Sequence, residues 1–352
     1  MIRTLISSAA LTLAMTTTVS AATQLRFAEG SPNRGARAEA VTHFMEDVTK
    51  LSNGDLTFDM HWGGALLDYK SVTNGVAVGT ADMGTMLAVY DPQKLRSLAI
   101  GDLPTQYSDP WVGMRAMYEL MTTNKDMQKL LAELNFVYLT GYSSTGVQFE
   151  CTEDNQIRTI EDIKGKRIRA AGNFAKILDD LGANLVNLNQ GDAYQAYDTG
   201  LIDCGASYFY TMRAFKTFEV ADNYTVANWG QLLGFATLMN LDVWNELSQE
   251  QQATLQKAGS NAIDYFAKLQ IEEMALVVDG LRTGDIGKKA NVYEMAEEDR
   301  AILAKAGEKY IQEWIDRANK DGVDGQQIWD EYTALLEKYQ HELDSSGHPW
   351  ER

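Results

Sequence analysis

The chain has 352 residues, which suits two lobes of ordinary size better than one small domain. Its 31 basic and 49 acidic residues give a formal charge of 31 − 49 = −18, so a polyanion such as nucleic acid, which needs a basic footprint, is excluded as a partner. An anionic membrane surface is disfavoured on the same ground, whereas a small anion is not, because one buried arginine can act inside an acidic protein.

Met1-Ile2-Arg3 carries one positive charge, and Leu5 to Met15 is apolar or neutral. Val19-Ser20-Ala21 followed by Ala22 fits a small-residue cleavage site. This is the layout of a secretory signal peptide spanning 1–21, cleaved near Ala21. Cleavage removes Arg3 and no acid, leaving 30 basic against 49 acidic residues, or −19. No later stretch approaches the ~20 apolar residues that a span needs, so no direct membrane insertion is expected. The expected location is the periplasm.

Export sets the redox context for Cys151 and Cys204, the only two cysteines. Both fall in segments that read as strands, Val147–Thr152 and Leu201–Cys204. A disulfide forms if those strands are neighbours; otherwise both are buried thiols acting as small hydrophobes. The sequence leaves both readings open. No CxxC or HxxxH spacing exists, and His43, His61, His341 and His348 are scattered, so no metal site and no cofactor are expected.

Along the chain, Leu25 to Ala28 reads as a first strand. Arg37 to Leu51 has helical apolar spacing and is stopped by Asn53-Gly54. Leu56 to Met60 reads as a strand, Tyr69 to Val78 as a helix, and Ala81 to Thr85 as a strand. Strand and helix in alternation imply a parallel α/β sheet. Gly79-Thr80-Ala81-Asp82-Met83-Gly84 and Gly200-Leu201-Ile202-Asp203-Cys204-Gly205 share the pattern G-x-x-D-x-G after a helix, which suggests two lobes of similar build. A strand ends near Arg169. Phe174 to Leu181 and Ala193 to Tyr197 read as helices. Ser248-Gln249-Glu250-Gln251 is a capping box opening a long helix to Val278. Glu297 to Asn319 and Ile328 to Leu343 read as two further helices.

No Walker A pattern, G-x-G-x-x-G, HExxH or G-x-S-x-G elbow is present. With no positive sign of catalysis, a ligand-binding protein rather than an enzyme is expected. A periplasmic enzyme on a two-lobed α/β scaffold is the rival reading, and a sensor partner that presents its ligand to a membrane receptor is a third.

Lys164-Gly165-Lys166-Arg167-Ile168-Arg169, then Asp180-Leu181-Gly182-Ala183, Asp192-Ala193-Tyr194-Gln195-Ala196 and Thr199-Gly200-Leu201-Ile202-Asp203 stand in an order that resembles one family. It is that of the substrate-binding proteins of tripartite ATP-independent periplasmic (TRAP) transporters, dicarboxylate-binding type. Asn240-Leu241-Asp242-Val243-Trp244-Asn245-Glu246-Leu247 and Lys320-Asp321-Gly322-Val323 extend the likeness over nearly the whole mature chain. The resemblance implies a two-lobed α/β periplasmic binding protein fold, type II-like, with crossing hinge strands and a long hinge-spanning helix. It implies lobe I from 22–146 plus about 232–272, and lobe II from 147–231 plus about 273–352. It also implies delivery of a captured solute to TRAP membrane permease subunits by a protein expected to be a monomer.

By the same resemblance, Arg169 meets a ligand carboxylate, for which a planar guanidinium is well matched. Arg167 alternates with it and faces the other way. Two positions depart from the family pattern: Gln148 stands where many members carry a second arginine, and Ala206-Ser207 replaces a Glu-Asn pair. A C4-dicarboxylate is therefore less expected than a monocarboxylate. Gln148 and Ser207 are expected to hydrogen-bond the ligand. Trp62, Tyr90, Tyr208, Tyr210 and Trp229 are expected to shape the cleft. Asn173 is expected to cap a helix and contribute a polar contact, and Ser31 and Asn33 to follow the first strand into the cleft. The expected ligand is a small organic anion. A sulfonate, an aromatic acid or a zwitterion is the alternative, given Glu29 and the rings.

Overall fold

The computed structural model describes residues 22–352; the predicted signal peptide, 1–21, lies outside the described residues. Strand β1 (Thr23–Ala28) leads through helix Ala36–Leu51 to β2 (Leu56–His61), and short helix Val72–Ala77 leads on to β3 (Met83–Leu87). These strands pair in parallel, β1 at the centre. The first helix lies on the sheet because Val41, Phe44 and Val48 form one buried stripe. β4 (Phe136–Tyr142) does not join β3 directly. β10 (Phe235–Asn240), from almost a hundred residues later, runs antiparallel between them, giving the order β2-β1-β3-β10-β4.

The second sheet has the order β11-β9-β5-β8-β6-β7. Its strands are β5 (Val147–Cys151), β6 (Arg167–Arg169), β7 (Asn184–Val186), β8 (Cys204–Ser207), β9 (Asn223–Trp229) and β11 (Asn291–Glu294). Cys151 and Cys204 face each other across β5 and β8, and the structure bonds them, with Cα atoms 4.0 Å apart. The strand expected over Leu201–Cys204 starts only at Cys204.

The repeated G-x-x-D-x-G has the same physical meaning in both lobes. The Arg26 amide donates to Asp82 Oδ2 at 2.7 Å, and its guanidinium reaches Asp82 and the Gly79 carbonyl. The Arg167 amide donates to Asp203 Oδ2 at 2.8 Å, and its guanidinium reaches Asp203 and the Gly200 carbonyl. Each glycine has positive φ (78° and 65°) after its helix, which a residue with a Cβ would resist.

The chain crosses between the sheets at Ser143–Gly146 and again at Gly230–Gly234. The two crossings are tied by Ser144 N donating to the Leu232 carbonyl and Leu232 N donating to Ser144 Oγ (2.9 and 2.8 Å). Helix Gln249–Thr283 spans both lobes. Its first half packs on β4, where Thr140 Oγ1 donates to the Gly259 carbonyl, and Val277 and Leu281 pack with Phe209 and Tyr224 of the second lobe. The capping box at Ser248 and Gln251 is formed, and Gly284 (φ 93°) ends the helix. Among the described residues no helix is long and apolar enough to cross a membrane.

Two expectations at the C-terminal end change. The helix expected over Glu297–Asn319 breaks at Gly307 into Glu297–Ala306 and Glu308–Lys320, where a Cβ would sit 2.5 Å from Pro104 of the first lobe. The last helix, Gly325–Ser346, was expected with the second lobe. Instead it packs on helix Pro110–Thr123, which covers the first sheet. Trp111 meets Tyr339 edge-to-face, and Lys338 and Tyr339 both bind Glu119.

Candidate functional site: the cleft between the lobes

β6 ends at Arg169, paired with Gly205 on β8, and the side chain turns into the seam between the lobes. Arg169 is 4% exposed. Its Nε donates to the Leu188 carbonyl (3.3 Å), Nη1 to Gln190 Oε1, and Nη2 to the Tyr90 hydroxyl (3.4 Å) of the first lobe. All three acceptors are neutral, and among the described residues Arg169 forms no ion pair with a carboxylate. Its field extends to Tyr208 and to Glu150. Burial pushes the Glu150 carboxyl above its ordinary value, against hydrogen bonds from Thr217, Ser207 and Tyr197 and the pull of Arg169.

Tyr90 stacks on Tyr69 with ring centres 5.6 Å apart. The Tyr69 hydroxyl donates to Glu29 Oε1 at 2.7 Å, and the Ser31 amide and hydroxyl donate to the same oxygen at 2.8 Å each. Gly30 permits this, because a Cβ there would lie 2.7 Å from the Tyr69 ring. Glu29 is fully buried, just past the end of β1.

Arg37 faces the same space from the first turn of its helix. Its Nε donates to the Tyr210 hydroxyl of the second lobe at 2.9 Å, and the guanidinium lies 4.8 Å from the Phe235 ring centre. Burial opposes its charge, but Tyr210, Tyr69 and Glu29 outweigh that and hold it above its ordinary value. Arg37 was missed in the sequence. The available signal was an arginine inside the apolar stripe of Val41, Phe44 and Val48.

Of the residues expected in the cleft, Arg169, Tyr90, Tyr208, Tyr210 and Ser31 come together there. Tyr210 also donates to the Ser143 carbonyl at the hinge. Trp229 packs edge-to-face on Phe174 at 4.9 Å, with its indole Nε1 buried and without a partner among the described residues. Ser207 is buried in β8, opposite Gln148 of β5. Trp62 is half-buried and packs against the hydrophobic core.

Three expectations are corrected. Gln148 is consumed by the β5–β9 bulge: Oε1 accepts from the Ala227 and Asn228 amides (2.7 and 2.9 Å), and Nε2 donates to Asn228 Oδ1 at 2.8 Å. The bulge deprives those amides of strand partners, and Gln148 replaces them. Asn173 is no cap, since helix Gly172–Asp180 begins before it; its Nδ2 donates to the Asp102 carbonyl across the seam at 3.5 Å. Asn33 is exposed on the outer surface beside Glu39, His43 and Tyr265.

Asp102 sits against the hinge, its Oδ1 accepting from the Gly234 amide at 2.7 Å. Burial pushes its carboxyl up to about 7, in spite of the Gly234 and Leu233 amides. A groove of about 670 Å³ runs from the Asp102–Asn173 contact between Ala88–Leu103 and helix Glu308–Lys320; neither Arg169 nor Arg37 lines it.

The cleft thus gathers the guanidiniums of Arg37 and Arg169 and the buried Glu29 side chain, while burial pushes the carboxyls of Asp102 and Glu150 up. A buried positive charge without a counter-ion is costly, and an anion entering between the lobes relieves it.

Residues 27–317 match the family model for bacterial extracellular solute-binding proteins, family 7. The chain is 25% identical over 271 residues to the C4-dicarboxylate-binding periplasmic protein DctP of Rhodobacter capsulatus, covering 75% of this chain and 78% of that one. An extracytoplasmic solute receptor of Bordetella pertussis that binds pyroglutamic acid superposes with a TM-score of 0.76 at 24% identity, covering 89% of this chain and 100% of the other. A TRAP periplasmic solute-binding protein of Bordetella bronchiseptica with bound mandelate gives 0.78 at 18% identity, covering 90% and 99%. With two α/β lobes, a helix spanning both and a match over most of its length, the chain belongs to the family 7 bacterial extracellular solute-binding proteins, the TRAP solute receptors.

Proposed function

We propose that this protein is a periplasmic, monomeric receptor that captures a small organic acid, a monocarboxylate, between its lobes and delivers it to the membrane permease of a TRAP transporter. The observation that carries this is Arg169: buried, held by three neutral oxygens and, among the described residues, forming no ion pair. A ligand carboxylate completes the guanidinium's planar fork. Tyr90 links this end to the first lobe, so a ligand on Arg169 contacts both lobes and stabilises the closed form by its preference for it. Arg169 offers one planar fork, and Gln148, where the family pattern has a second arginine, is engaged by the Ala227 and Asn228 amides; both favour a single acid group on the ligand. Relatives whose names specify C4-dicarboxylate and ectoine binding show that the family's cargo varies.

Calorimetric titration with a panel of monocarboxylates and dicarboxylates tests the reading. Arg169→Gln is expected to abolish tight binding while leaving thermal unfolding within a few degrees of the parent. Unchanged affinity would remove Arg169 from the site. The cleft rings Tyr69, Tyr90 and Tyr208 favour, as a second reading, an aromatic acid within the same class.

A further inference from the structure

Glu29 is placed with unusual care for a carboxylate inside a protein. It is 0% exposed. One oxygen, Oε1, is saturated by the Tyr69 hydroxyl, the Ser31 hydroxyl and the Ser31 amide. The other, Oε2, is buried and has no hydrogen-bond partner among the described residues. Three donors on one oxygen fix the plane of the carboxylate, and so fix where Oε2 points. Arg37 feels the charge of Glu29 but is not hydrogen-bonded to it: its Nε goes to Tyr210 and its face lies over Phe235. The charge of Glu29 is felt by Arg37, Tyr142 and Tyr210, the last from the second lobe, so the carboxylate belongs to the interlobe space. A buried carboxylate oxygen left without a donor is destabilising, and it is tolerated where a bound molecule supplies the donor.

The stacked rings relate this oxygen to Arg169. Tyr69 holds Glu29, Tyr90 holds Arg169, and the two rings lie 11° from parallel. The cleft therefore has the Arg169 guanidinium at one end and the unpartnered Glu29 acceptor at the other, joined by an aromatic wall. An acid with nothing but carbon beyond its carboxylate satisfies the first end and leaves the second unpaired.

We infer that Glu29 is a specificity-determining residue that accepts a hydrogen bond from the ligand, so that the cargo is a small carboxylic acid bearing an amine, ring N–H or hydroxyl donor. This rests on the reading of Arg169 as the carboxylate clamp.

Matched pairs test it in titrations of the purified protein: pyroglutamate with its N-methyl derivative, mandelate with phenylacetate, and 3-hydroxybenzoate with benzoate. In a pair that binds, the donor-bearing acid is expected to bind at least about tenfold more tightly, because a site built around a polar group discriminates against the analogue that leaves it unpaired. Glu29→Gln places an N–H donor where the acceptor was and should erase that ratio with little effect on the donor-free acid. If this variant unfolds, Tyr69→Phe, which frees the carboxylate to rotate, should lower the same ratio. Equal affinities within every binding pair, or a ratio unmoved by Glu29→Gln, overturn the inference. Arg169→Gln should weaken both members of a pair alike; if it does not, the clamp reading fails while the Glu29 ratio is still measured. Binding of no acid overturns both.

Discussion

Arg167 and Asp203 form the same clasp in the second lobe that Arg26 and Asp82 form in the first. In each, the aspartate accepts the arginine's own amide, and the guanidinium returns to the carbonyl of the glycine ending the preceding helix. The register repeats as well: Phe27 faces Met83 as Ile168 faces Cys204, and Ala28 faces Gly84 as Arg169 faces Gly205. The clasp fixes the strand end, and the residue two positions on is free to differ between lobes: buried Ala28 in one, Arg169 at the interlobe seam in the other.

Replacing Asp82 with alanine should therefore destabilise the fold without touching the site. The Arg26 amide loses its acceptor, a loss worth roughly 1–3 kcal/mol. The exposed guanidinium adds little to this. Urea unfolding should record the loss, and calorimetry should return the parent affinity. A change in affinity larger than the change in stability would contradict this account.

Gln148→Ala separates a structural role from a ligand-binding one. The Ala227 and Asn228 amides would lose their acceptor inside the β5–β9 bulge, at a cost of roughly 1–3 kcal/mol or more. Unfolding should shift by that amount in the unliganded protein. A variant as stable as the parent but defective in binding would return Gln148 to the ligand set.

Asp102 gives the protein a pH signature. Its carboxyl rises from the ordinary 3.8 to about 7 in the folded state through burial. Between those values the folded protein holds a proton that the unfolded chain has released. The stabilisation is thus complete below about pH 4 and is lost as the pH rises through about 7, an effect on the order of 4 kcal/mol. Asp102→Asn keeps an acceptor for the Gly234 amide and does not titrate. The stability of the parent relative to this variant should fall from pH 4 to pH 8. Carboxylates held below their ordinary values, such as Asp68 and Asp203, act in the opposite sense but are common to both proteins and cancel. A flat difference across that range would show that Asp102 does not titrate near neutrality.

Local order was legible in the sequence because it is written locally. The apolar stripe of Val41, Phe44 and Val48 announces its helix, the Ser248–Gln251 capping box opens the long helix, and the repeated G-x-x-D-x-G marks two equivalent turns. Arg169 was reached through family likeness alone, because its burial at the seam is not written in the residues beside it. The partners of Gln148 were not legible, because they arise from a bulge in a strand some eighty residues away. The break at Gly307 is imposed by Pro104 of the other lobe, which no periodicity within the helix records. Arg37 and Glu29 acquire their meaning only when Tyr210, Tyr69 and Ser31 close around them.

The first sheet cannot be completed by any early part of the polypeptide. Its fourth strand in spatial order, Phe235–Asn240, is made almost a hundred residues after β4, the neighbour it joins to β3. A nascent chain that has not passed residue 240 thus lacks the strand that links β3 to β4, and its amino-terminal half cannot close into the finished sheet.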